Sequence, residues 1–140
     1  MKLILALATL TVAFAGVKMK SLPEPVRKTV LEQTKGAQIK NIGKEVDKGA
    51  TMYEVETLVN GRTRDLMIDS AGAVVSVEEE VALASIPAAA KAGIEKLADG
   101  ATITKVEAVT KGQSVVYEAA LLKGKTKSEV MVNPDGSLAK

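Results

Sequence analysis

The chain contains no cysteine, no histidine and no tryptophan, and its aromatics are two tyrosines and one phenylalanine. Without histidine or cysteine, neither a Ser-His-Asp triad nor a Cys-His pair can be built. The same absence removes the imidazole and thiolate ligands on which zinc, copper and iron sites depend. Only an oxygen-ligand cation remains open, and no disulfide can staple the fold. With so few aromatics, a core must be built from Val, Ile, Leu, Ala and Met. Stacking platforms for bases are missing, acids and bases are mixed along the chain, and the net charge is only +2. Nucleic-acid binding is therefore not expected. Glycine-rich phosphate loops are absent as well.

The chain opens like an export signal. Met1-Lys2 is a short basic start, Leu3 to Val12 is uncharged and apolar, and Ala13-Phe14-Ala15 fits a small-x-small cleavage site with Gly16 as the mature terminus. The apolar run is about 15 residues, short of the ~20 that cross a bilayer. Export to a periplasmic or secreted location is expected, with no membrane span after cleavage.

Beyond this leader, two stretches resemble each other in order. Ser21-Leu22-Pro23 recurs as Ser85-Ile86-Pro87, Gly36-Ala37 as Gly100-Ala101, Tyr53-Glu54 as Tyr117-Glu118, Met67 as Met131 and Gly72 as Gly136. Ordered matches at Pro, Gly and Tyr predict a duplication. Each copy should begin with a helix. Ser21 and Glu24 have capping-box spacing, Pro23 suits a first turn, and Leu22, Val26 and Val30 form an apolar stripe. The second stripe is Ile86, Ala90, Ile94 and Leu97. Strands are expected over 51–59 and 62–69, joined by Asn60-Gly61, and over 114–122 and 125–132, joined at Lys123-Gly124. Less regular strands precede them at 38–46 and 102–109, where the apolar spacing suggests a bulge or bend. A last strand runs from Val74 to Glu79, with a truncated twin at 137–140. The expected fold is α+β: two tandem repeats, each a helix followed by a four-stranded antiparallel sheet, with the helices packed on one sheet face. The expected boundaries are a leader at 1–15, a tail at 16–20, the first repeat at 21–80, a linker at 81–84 and the second repeat at 85–140.

Period-two alternation sorts the side chains. Tyr53, Val55, Thr57 and Val59 share one side of a strand, as do Val115, Tyr117, Ala119 and Leu121 in the second copy. This apolar side should be covered by the helix, with the tyrosines in the core. The opposite side carries Met52, Glu54, Glu56 and Leu58, then Asp65, Met67 and Asp69 on the next strand. Its second-copy equivalents are Val116, Glu118, Ala120, Leu122, Glu129 and Met131. Apolar residues among carboxylates suit a partner-binding surface, although a solvated sheet face has the same composition. The expected contact residues are Glu54, Glu56, Met67, Glu118, Leu122 and Met131. Glu54 and Glu56 stand about 6.5 to 7 Å apart along the strand, a spacing open to acid-base chemistry but shared by any i, i+2 pair. The Glu78-Glu79-Glu80 run reads as solvation of a strand end. The Asp and Asn turns lack the ligand ladder of a calcium loop. No cofactor and no enzymatic activity are expected.

The leader, the Ser-x-Pro helix starts, the Tyr-Glu strands, the glycine hairpins and the Asp/Asn-x-x-Gly turns (Asp69 to Gly72, Asn133 to Gly136) together resemble the PepSY-like, β-lactamase-inhibitor-like family of small exported bacterial proteins. The resemblance covers 21–140 in two copies. It implies paired helix-backed sheets, a periplasmic or secreted address, and a binding, inhibitory or regulatory role toward a protein or peptide. The alternative is an envelope stress or structural protein that holds ions or cell wall weakly and has no dedicated recognition site.

Overall fold

Two apolar stripes and a series of period-two runs become two short helices among eight strands. The structure, a computed structural model, describes residues 15–140; the leader expected at 1–15 lies, apart from Ala15, outside the described residues. In chain order the elements are β1 (Ala15–Gly16), α1 (Glu24–Gln33), β2 (Gln38–Asp47), β3 (Ala50–Val59), β4 (Arg62–Asp69), β5 (Val74–Glu80), α2 (Ala88–Ala98), β6 (Thr102–Lys111), β7 (Ser114–Lys123) and β8 (Thr126–Val132). One compact unit holds the described residues to Glu80 together with Thr110–Ser114, and the other holds Val81–Val109 and Val115–Lys140.

The expectation of an α+β fold of two repeats, each a helix followed by a four-stranded antiparallel sheet, is overturned. The strands stand in chain order in one eight-stranded sheet, and the protein is mostly β. The strand sets of the two halves also differ. Residues 137–140 form no strand and contribute only an isolated bridge between Val132 and Leu138. Conversely, Ala15–Gly16 adds a strand, β1, antiparallel to Lys44 and Gly43 of β2. The physical reason is that alternation and turn residues encode hairpins, which are local. Which strands share a sheet depends on contacts that no short window contains.

In the first unit, Leu22, Val26 and Val30 meet Ile42, Tyr53, Val55, Leu66 and Ile68 in one buried cluster. Val26, Val30, Val55 and Ile68 are wholly out of water. Burying each such aliphatic side chain contributes about 1.5–3 kcal/mol. In the second unit, Ile86, Ala90, Ile94 and Ala98 meet Val106, Ala119, Leu121 and Val132. Tyr53 is buried in the first cluster, and Tyr117 packs half-buried against the second. Leu97, expected in the apolar stripe of α2, is exposed.

The helix starts depart from expectation. Pro23 and Pro87 are the N-caps, and neither helix has a side-chain cap bond. Proline holds the extended-to-helical corner by its fixed φ, which displaces the serines upstream. Ser21 and Ser85 instead end short 3-10 turns, Met19–Ser21 and Leu83–Ser85. The Ser21–Glu24 capping box therefore does not form.

The turns hold the strands in register. Val59 pairs with Arg62 across Asn60-Gly61, both at positive φ, the two-residue geometry that matches strand twist. Two further glycines are fixed by close approach. A Cβ on Gly72, in the β4–β5 turn, would lie 2.7 Å from the Pro25 carbonyl oxygen of α1. One on Gly136, in the turn after β8, would run into the Ala89 carbonyl of α2. In each unit a strand-end turn is thus pressed onto the first turn of the helix. Thr29 Oγ1 tightens the first contact by donating to the Gly72 carbonyl at 2.6 Å.

Candidate binding face

The side of the first unit turned away from α1 is laid out by pairing. Across the strands, Gly43, Glu54, Met67 and Ser76 form one row, and Asn41, Glu56, Asp65 and Glu78 the next. Glu45, Met52 and Asp69 form a third. A register shift between Ile39 and Asn41 on β2 sets which residues of that strand join these rows, as the irregular apolar spacing suggested. A second shift, where Met67 and Ile68 pair with Ser76 and Val74, does the same for β5. No Lys or Arg occupies these positions.

The carboxylates are held differently. Asn41 Nδ2 donates to Glu56 Oε1 at 3.4 Å. The Thr57 amide donates to Asp65 Oδ1 at 3.2 Å. The amides of Ala71 and Ala73 donate to Asp69 Oδ1, tying it into its turn. Glu54 is the exception: its Oε2 is buried with no hydrogen-bond partner. Burial foremost, then the charges of Glu56, Asp65, Glu78 and Glu45, push the Glu54 pKa from the ordinary 4.5 to about 7. Each acts in the same direction, because each disfavours another negative charge.

Glu54, Asp65, Leu66, Met67, Ser76 and Glu78 line a hollow of about 180 Å³, including space open to solvent. Only about 10 Å³ of it can take the centre of a water-sized sphere, room for about one water and far too little for a small-molecule ligand. Among the described residues, no three carboxylates are arranged to hold a metal ion.

The second unit carries its own face. Glu118 pairs with Met131, Ala120 with Glu129 and Leu122 with Lys127. Here a cation is present: Lys105 forms an ion pair with Glu107. The Glu129 pKa is raised by burial and by Glu107, while Lys105 pulls the other way.

All six expected contact residues are half-buried and lie outside the core clusters. Within the first unit, Glu54 and Met67 are direct cross-strand partners, with Glu56 one step along the same side. Within the second, Glu118 and Met131 are partners, and Leu122 is further along β7. Sequence reasoning missed Glu45, Ser76 and Glu78. Glu78, read as solvating a strand end, instead stands beside Asp65 on the same face. Counting alternate residues through β5 from the Asp69–Gly72 turn finds it only if the shift at Ser76 is known. Glu79 and Glu80 have other roles: Glu79 pairs with Arg64 at 3.0 Å, and Glu80 accepts from the Thr63 amide at 3.0 Å.

No protein-family model matches the chain. No curated protein matches it by sequence. Solved structures do share its fold. A protein of Bacteroides eggerthii described as "putative periplasmic" superposes with a TM-score of 0.70 at 16% identity, covering 85% of this chain and 86% of that one. A DUF2874 family protein of Bacteroides ovatus gives 0.67 at 17% identity, covering 86% of each. A BLIP-like protein of Bacteroides fragilis gives 0.62 at 15% identity, covering 85% and 84%. The fold is thus shared with BLIP-like and DUF2874 proteins; nothing in these similarities points to PepSY specifically. Among the described residues, no helix is long and apolar enough to cross a membrane.

Proposed function

We propose that the chain is a non-enzymatic binding module that works outside the cytoplasm, in the periplasm or as a secreted protein, after a leader is removed ahead of Gly16. It engages a protein or peptide through the sheet side of the first unit turned away from α1; in the second unit, taken by itself, the contact residues are Glu118, Leu122 and Met131. The observation that carries this reading is the state of Glu54. A half-exposed surface does not ordinarily keep a carboxylate oxygen buried, unpartnered and crowded by four other carboxylates. Such a group costs stability, and groups perturbed in this way concentrate at functional sites. Half-buried Met52, Leu58 and Met67 supply apolar area beside it. The shallow hollow favours a macromolecular surface over a small substrate. The fold shared with a BLIP-like protein and the description of the B. eggerthii protein support the binding role and the location.

The test is capture from envelope extract by the chain from Gly16 to Lys140, compared with a Met67→Lys/Met131→Lys variant. The reading expects a defined partner that the wild type captures and the variant does not, with nearly equal melting temperatures. If the variant instead melts much lower, the methionines belong to the core and the surface is lost as a site. If no partner is enriched over an unrelated control, the structural or weakly ion-binding envelope role takes its place.

A further inference from the structure

We infer that the partner presents a cationic, extended segment, and that the side of the first unit turned away from α1 receives it. This inference rests on the binding role proposed above and gives the partner's chemistry. Three observations carry it.

The first is charge. Glu45 on β2, Glu54 and Glu56 on β3, Asp65 and Asp69 on β4 and Glu78 on β5 occupy this side; its cross-strand paired rows hold no Lys or Arg, and Lys40, the unpaired residue of the β2 bulge beside Asn41, is the one cation next to them on these strands. The chain as a whole is slightly basic, at +2. The acidity is therefore local and complementary to a cation, not a general property of the protein.

The second is spacing. Glu54 and Glu56 are i, i+2 on a strand. Alternate side chains of an extended peptide repeat at the same distance, about 6.5–7 Å, so two lysines or arginines in an extended partner meet both carboxylates at once. Met52, Leu58 and Met67 lie among them, suited to the aliphatic stems of those cations.

The third is the unmet need at Glu54. Its buried Oε2 has no donor, and the charges that act on it, Glu56, Asp65, Glu78 and Glu45, are carboxylates from each of the four strands that form the face. An incoming ammonium or guanidinium on this side offsets that repulsion. A metal ion is the poorer occupant, since no three carboxylates of the described chain are arranged to hold one. The same carboxylates repel nucleic acid and anionic lipid.

The probe is a fluorescein-labelled peptide of alternating Lys and Val, eight residues long, with a Glu/Val peptide as its control, read by fluorescence anisotropy. The expected result is saturable binding of the Lys/Val peptide alone, weakening several-fold between about 50 and about 300 mM salt as the charges are screened. Glu56→Gln/Asp65→Asn should weaken it about ten-fold. Glu24→Gln/Glu32→Gln, the same charge change on α1 at the other side of the sheet, should leave it unchanged. Binding should also tighten from pH 6 to pH 8, because Glu54 ionises near 7.

Equal weakening by both double variants would reduce the effect to net charge and overturn the assignment. So would binding of the Glu/Val peptide, or displacement of the Lys/Val peptide by millimolar calcium. If the peptide fails to bind while envelope capture is still abolished by Met67→Lys/Met131→Lys, the binding role stands and the cationic partner falls. If neither binding nor capture is seen, both fall.

Discussion

Replacing Glu54 by Gln should stabilise the protein, and only when the medium is neutral or alkaline. The folded state raises the Glu54 pKa from 4.5 to about 7, so it binds this proton more tightly than the unfolded chain does. Below about pH 4.5 both states are protonated and the side chain carries no electrostatic cost. As the pH rises toward 7 the unfolded chain ionises first, and stability falls. Above 7 both states are ionised and the full cost is present. The displacement corresponds to at most ~3.4 kcal/mol. The side chain is only half-buried, so screening leaves about 1–2 kcal/mol. Glutamine keeps the shape, replaces one carboxylate oxygen with an amide NH2 and removes the charge. Glu54→Gln should match the wild type at pH 4 and exceed it at pH 8 by that 1–2 kcal/mol, or roughly 4–8 °C in melting temperature. Urea unfolding at pH 4, 6 and 8 measures the difference. A variant less stable than wild type at pH 8, or a gap of the same size at every pH, would refute the reasoning. The gain matters because it would show the fold holding a carboxylate against its own stability, as binding surfaces commonly do.

Three further outcomes follow from the packing. Gly136→Ala should cost about 2–3 kcal/mol, because a Cβ there adds a clash with the Ala89 carbonyl to the strain of positive φ. Gly100→Ala, also at positive φ but with open space around it, should cost only about 1–2 kcal/mol; equal losses in urea midpoint would contradict the close approach. Val26→Ala, at a position wholly out of water in the first cluster, should cost about 2–3 kcal/mol by the same assay, and a loss under half a kcal/mol would mean that α1 does not seal that core. Met67→Lys should lower the melting temperature by no more than about 2 °C, as expected of a residue outside the core clusters, and above pH 7 a lysine opposite Glu54 should raise it.

What was legible in the sequence was local. Asn60-Gly61 fixes a hairpin, and a hairpin fixes register, so the pairing of Glu54 with Met67 and the burial of Val55, Leu66 and Ile68 could be read from alternation alone. The stripes of α1 and α2 were readable for the same reason, except at Leu97. What was not legible depended on distant contacts or on single-residue irregularities. The pairing of β1 with β2 joins residues far apart in the chain. The shift near Ser76 decides that Glu78 faces Asp65. The Lys48-Gly49 turn between β2 and β3 places a lysine at positive φ, a position that its composition does not announce. The likeness between the two halves of the chain points to a helix and four strands in each and leaves open whether their sheets join, because local signals do not say where a sheet ends. Glu54 was singled out for its exposed alternation; its buried oxygen and its raised pKa come from three neighbouring strands and could not be seen along one.

The central claim is that the partner sits on the sheet side turned away from α1. A photocrosslinking amino acid placed at Leu58, on that side, and in a second strain at Leu31, exposed on α1, tests it in the intact cell envelope. The account predicts a defined adduct from position 58 and none from position 31. An adduct from position 31 alone would put the partner on the helix side and contradict it.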